Sequence, residues 1–207
     1  MSEQILIELI RLIPSFLWIV LLAILVGVFY RPIRHELIPR ISGFKAFGLE
    51  VALLREQLDT AAEQRGINLG VVEREQVLGR AHRAAPMLRG ARVLWVDDHP
   101  ENNTYERQAM LALGAFVDIA KSSTEARSMM SQSRYDLLIS DIDRDGVPDE
   151  GLRFLSQMHE RNSCPRTIFY IGHVEQERCV PAHAFGISDR PDELLHLVID
   201  ALERSMA

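Results

Sequence analysis

The chain has 207 residues, 47% of them hydrophobic and 25% charged, with a formal net charge of −6. That length suffices for one well-buried α/β domain with additional segments, and falls short of two large domains. The acidic excess lies in residues 91–207, with twelve basic against twenty acidic side chains, which excludes a nucleic-acid surface there because phosphate backbones are held by clustered Lys and Arg.

Ile13 to Tyr30 is eighteen residues without a charge. As a helix it would span about 27 Å, close to the hydrocarbon thickness of a bilayer. No small-residue cleavage site follows its apolar core, where the chain reads Val28-Phe-Tyr-Arg-Pro, so an uncleaved anchor over residues 1–30 is expected. Arg31, Arg34, Arg40 and Lys45 follow, whereas the N-terminal side offers only Arg11 beside Glu3 and Glu8. The positive-inside rule then predicts a single pass through the inner (cytoplasmic) membrane with the C-terminal bulk in the cytoplasm. The stretch before Pro14 reads as a short interfacial helix on which Glu8 and Arg11 lie one turn apart.

Residues 31–90 read as a basic juxtamembrane segment and a helical linker. Phe47, Val51, Leu54, Leu58 and Ala61 recur at spacings of four, three, four and three. This is a coiled-coil or bundle seam, or equally the apolar stripe of a helix lying on a neighbouring domain or the membrane. Gly66 ends it, and a second helix from Val71 to Ala85 stops at Pro86. As a coiled coil, the linker would make the protein a homo-oligomer.

From residue 91 onward strand and helix patterns alternate. Strands are expected at Val93 to Val96, Phe116 to Ile119, Leu137 to Ile139 and Thr167 to Ile171, with a weak fifth at Ala184 to Ile187. Between them fall a helix capped by Asn102 or Asn103 and closed by Gly114, and one opened by a Ser122/Glu125 capping box. A further helix carries Leu152, Leu155 and Met158, and Asp192 to Arg204 closes the chain. This alternation means a doubly wound, five-stranded parallel sheet.

Asp97 and Asp98 follow the first of these strands and Asp141 the third. Ligands of open α/β sheets bind outside the carboxyl ends of the strands, and three converging carboxylates need a cation or a shared proton to coexist. The pattern resembles the receiver domain of bacterial response regulators, a flavodoxin-like fold, over 91–207. The resemblance implies a Mg2+ site formed by Asp97, Asp98, Asp141 and the backbone carbonyl of Asp143. It also implies that Asp141 accepts a phosphoryl group from a histidine kinase or phosphotransfer protein.

The sequence departs from that family in several places. Gly172 stands where the fourth strand should end in Ser or Thr, and Arg190-Pro191 stands where Lys-Pro is expected, so Arg190 takes the lysine's place at the phosphoryl oxygens. Two extra residues lie between Asp141 and Gly151, and the eleven residues between Gly172 and Ala184 are too few for a full fourth helix with its loops. The expected function is a phosphoacceptor signalling domain rather than a turnover enzyme. The alternative is a pseudo-receiver that binds partners, or senses for a membrane effector, without phosphorylation.

Other motifs carry less. Asp141, Asp143, Asp145, Gly146 and Asp149 match part of an EF-hand loop, but its twelfth position is Leu152 where Glu is needed, so Asp143 to Glu150 reads as a solvated acidic turn. His99 and His173 read as loop residues near strand ends, and Cys164 and Cys179, without C-x-x-C spacing, as free thiols. No Walker sequence or G-x-G-x-x-G is present.

Overall fold

The structure, a computed structural model, describes residue 18 and residues 38–160, 164–173 and 179–206. Apart from Trp18, the expected span Ile13 to Tyr30 and the segment before it lie outside the described residues. No helix among the described residues is long and apolar enough to cross a membrane. The chain divides into two compact units, Met1–Leu49 and Glu50–Ala207, and the second is described below.

Its centre is a five-stranded, all-parallel sheet in the order β2-β1-β3-β4-β5. The strands are β1 (Arg92–Val96), β2 (Phe116–Ala120), β3 (Leu137–Ser140), β4 (Arg166–Tyr170) and β5 (Gly186–Ser188). Strands β1, β3 and β4 are buried nearly throughout, as apolar runs of a sheet covered on both faces should be. Side chains alternate between two cores, as the pleat requires. Val93, Trp95, Leu137 and Ile139 belong to the larger, and Leu94, Val96 and Leu138 to the smaller.

The smaller core is closed by α4 (Ser123–Gln132) and α5 (Glu150–Glu160), through Ala126, Phe154 and Met158. The larger is closed by α3 (Thr104–Ala112) and α6 (Pro191–Met206) together with both linker helices, α1 (Ile38–Gln64) and α2 (Val71–Leu88). The linker is therefore part of the domain core. Leu54, Leu58, Ala61 and Ala62 are at most 2% exposed, and Val77, Ala81 and Leu88 are wholly buried. Leu54, Leu58 and Ala61 of the periodic stripe are buried inside their own chain, as the apolar face of a helix lying on a neighbouring domain would be, and these three positions are not free to form a coiled-coil seam. Gly66, at φ +67°, turns the chain between the helices, and Ile67 N donates to Ala62 O at 2.8 Å.

Two local expectations are corrected. Helix α2 does not stop before Pro86 but runs through it to Leu88, whose complete burial holds the last turn against the missing N–H. Asn103 occupies the N-cap position of α3 but makes no capping bond, because its side chain is used elsewhere. Between β4 and β5 no helix occurs among the described residues, in keeping with the short count there.

Because the α1 stripe packs within the chain, Leu58→Ala is expected to cost about 2–5 kcal/mol, the range for emptying a buried leucine site. Urea denaturation should give the same loss at every protein concentration. A loss that shrinks on dilution would restore the intermolecular seam.

Candidate functional site

Strands β1 and β3 are neighbours with Val96 opposite Ser140, so the residues that follow each leave the sheet side by side. The pairing extends one step further, with Asp141 N donating to Val96 O and Asp97 N to Ala120 O, both at 3.0 Å. The result is the convergence anticipated from sequence: Asp97, Asp98 and Asp141 each bring a carboxylate oxygen within 4.8 Å of the others.

Each carboxylate is held by donors. Asp97, 4% exposed, accepts from His99 N at 2.7 Å on Oδ1 and from Asn103 Nδ2 at 2.5 Å on Oδ2. Asp98 Oδ2 accepts from Asp145 N at 2.8 Å, and Asp141 Oδ1 from Ile142 N at 2.7 Å. Burial pushes the Asp141 carboxyl up to about 6, helped by the charges of Asp97, Asp98 and Asp143 and opposed by the Ile142 N–H. A cluster of hard oxygen donors in which one acid is strained toward neutrality fits a small divalent cation such as Mg2+, which needs only one or two carboxylates and keeps several waters.

The loop after β3 is knit by its own bonds. Arg144 and Val147 form an antiparallel bridge, and Asp143 Oδ1 accepts from Asp149 N at 2.8 Å. The convergence of carboxylates thus runs across the ends of two strands and not along an EF-hand loop. Sequence reasoning missed Arg144, which in an acidic turn reads as a solvated charge. Here it is 1% exposed, with Nη1 donating to Ser140 Oγ and, at 3.2 Å, to Asp141 O. Nη2 donates to Ser123 Oγ at 2.7 Å, and Ser123 in turn donates to Glu150 Oε1 at 2.7 Å. Gly151 was also missed: a Cβ there would stand 2.2 Å from Asp141 O, so only glycine lets α5 start this close to Asp141.

Arg190 is not brought to the carboxylates in this arrangement. Its Nη2 donates to Asp192 Oδ2 at 3.0 Å, and Glu73 and Glu193 lie 3.8 Å away. At Gly172 an added Cβ would meet nothing within 4 Å, and the residue borders a cavity of about 490 Å³ shared with Gln64, Arg65, Glu101 and Asn102. His99 and His173 do sit at strand ends, the first 3.7 Å from Asp98 and the second 3.5 Å from Asp189.

Residues 93–190 match the family model of the response regulator receiver domain, and this part of the chain is a receiver-type, CheY-like domain. Sensor protein EvgS of Escherichia coli O157:H7 is 34% identical over 71 residues, an alignment that covers 34% of this chain and 6% of that protein. Similar solved structures include a CheY-like receiver domain protein from Methanospirillum hungatei, at 24% identity, 56% of this chain, 97% of that chain and TM-score 0.48. The response regulator TrrA of Thermotoga maritima, solved in complex with Mg2+-BeF, gives 23%, 54%, 98% and 0.47.

Two outcomes follow for the site. Gly151→Ala forces backbone apart at Asp141 and should lower stability by about 1–3 kcal/mol in urea denaturation, the usual cost of overpacking. For Asp141, a carboxyl whose folded pKa lies above its unfolded value, stability is fully present below about pH 4 and is lost as pH rises through about 6. In chelator, Asp141→Asn should therefore be more stable than the parent at pH 7.5, by at most about 3 kcal/mol, and equal to it near pH 4. Thermal denaturation at both pH values checks this.

Proposed function

We propose that the chain is a membrane-anchored response-regulator-like signalling protein whose receiver domain accepts a phosphoryl group on Asp141 in a Mg2+-dependent phosphorelay. The observation that carries the reading is the meeting of Asp97, Asp98 and Asp141 at the carboxyl edge of β1 and β3, within the segment that matches the receiver family. Asp97, Asp98, Asp141 and the backbone carbonyl of Asp143 would hold the Mg2+, which when bound neutralises charge on the transferring oxygens.

The chain's own groups supply the rest. Asp141 Oδ1 is engaged by the Ile142 N–H, which orients the carboxylate and leaves Oδ2 as the nucleophile. Oδ2 attacks the phosphorus of a phosphohistidine, a P–O bond forms, the P–N bond breaks, and the departing imidazole keeps the electron pair and takes a proton from water. A carboxyl at about 6 is ionised at neutral pH yet basic enough to be a competent nucleophile. Arg190 is the candidate donor to the phosphoryl oxygens, and to reach them it exchanges its partners Asp192 and Glu73. The partner is a histidine kinase or phosphotransfer protein, and the anchor is the helix Ile13 to Tyr30 in the inner membrane with this domain in the cytoplasm.

A pseudo-receiver is the second reading, favoured by the bare Gly172 and by the acidic partners of Arg190. The two separate on one measurement. The full chain in detergent, incubated with Mg2+ and acetyl phosphate, is expected to gain a phosphoryl mass that the Asp141→Asn variant does not. No gain in folded protein would establish the pseudo-receiver.

A further inference from the structure

We propose that Arg65, in the turn that ends α1, is a positioning residue of the acidic site and couples that site to the linker; the proposal rests on the metal-binding reading of Asp97, Asp98 and Asp141. Its guanidinium reaches the carboxyl edge of the sheet through hydrogen bonds to four residues. Nε donates to Glu106 Oε1 at 3.1 Å, Nη2 to Asn103 Oδ1 at 2.7 Å, and Nη1 to Ile171 O at 2.9 Å and Asp189 O at 3.2 Å. It also lies over the Tyr170 ring, 4.0 Å from the centroid, and the Tyr170 hydroxyl donates to the same Glu106 oxygen at 2.8 Å.

The choice of acceptors sets this apart from a simple dock. Fastening a helix needs only the ion pair with Glu106. Arg65 also holds the carbonyls of Ile171 and Asp189, which immediately precede Gly172 and Arg190, the two positions where the sequence departs from the receiver pattern. Its fourth bond fixes the Asn103 amide. With Oδ1 facing a guanidinium that can only donate, Nδ2 must face the other way, and there it donates to Asp97 Oδ2. Arg65 thus decides which end of Asn103 meets a carboxylate of the cluster. A group that orients a metal ligand through an intermediate tunes the site without touching the ion, and such groups are typically worth 10–100-fold in metal affinity.

Coupling of this kind is reciprocal: whatever Arg65 does for cation binding at Asp97, cation binding does for the seating of Arg65 and the end of α1. The chain from site to linker is two hydrogen bonds long, Asp97 to Asn103 and Asn103 to Arg65.

The test measures Mg2+ binding to the full chain in detergent by calorimetry, for the parent and for Arg65→Met, Asn103→Ala and the double variant. Hydrogen exchange of residues 58–70 is followed with and without Mg2+. Arg65→Met should weaken Mg2+ about tenfold. The double variant should be no weaker than Asn103→Ala alone, because both substitutions break one chain. Mg2+ should slow exchange in the parent and not in Arg65→Met. Arg65→Lys keeps the charge but cannot serve four acceptors, so it should fold and still lose affinity, which covers the case in which Arg65→Met does not fold. Unchanged Mg2+ affinity in folded Arg65→Lys, or additive losses in the double variant, would overturn the proposal. No Mg2+ binding by the parent would instead overturn the metal reading itself.

Discussion

Repulsion among Asp97, Asp98 and Asp141 is the constraint around which the domain is arranged. Two carboxylates about 5 Å apart in a medium of effective dielectric near 20 repel by roughly 3–4 kcal/mol, and a domain of this size has only about 5–15 kcal/mol of net stability to set against it. Three such groups persist at one strand edge because the parallel register of β1 and β3 leaves them nowhere else to go. The backbone commits to the crowding before any side chain can respond.

What offsets the crowding is a set of donors built from below. The N–H groups of His99, Ile142 and Asp145 each point at one of the three carboxylates. Arg144 then supplies a full positive charge from the protein interior. A guanidinium cannot shed its proton to escape burial, so its cost is met by the hydroxyls of Ser123 and Ser140, the carbonyl of Asp141 and the field of the acids above it. Its Nε has no partner. Arg190, the cation anticipated from the family pattern, faces α2 and α6 instead. Arg144 is thus the fully buried cation, among the described residues, beneath this edge.

The strands, their alternation with helices and the acidic cluster were legible because they depend on short-range pattern: apolar runs of four or five residues, and carboxylates placed directly after two of them. Asp97, Asp98 and Asp141 could be named without a structure for that reason. Arg144 and Arg65 could not. Both are charged residues in turns, Arg144 between two aspartates and Arg65 between Gln64 and Gly66, and their burial is decided by residues distant in sequence, Ser123 for one and Asn103, Ile171 and Asp189 for the other. Asn103 was legible as a helix cap, a local role, and was diverted by a stronger acceptor, the Asp97 carboxylate. The α1 stripe was legible as apolar but not as intramolecular, since periodicity says that a face is covered and not by what.

That the linker is core material limits how the domain can signal through it. Burying a large apolar side chain contributes about 1.5–3 kcal/mol, and Leu54, Leu58, Leu69, Val77, Leu78 and Leu88 are all buried between the linker helices and the sheet domain. Detaching the two helices would forfeit on the order of 10 kcal/mol by that measure. Coupling energies between sites are typically 1–3 kcal/mol, and inverting even a 1:99 equilibrium takes about 5.5 kcal/mol. A change of charge at the acidic cluster is therefore too small to release the helices and large enough to reseat a polar turn. A signal passed through this linker would therefore take the form of a displacement at the Arg65 end of α1, with the apolar packing of Leu54 and Leu58 left in place.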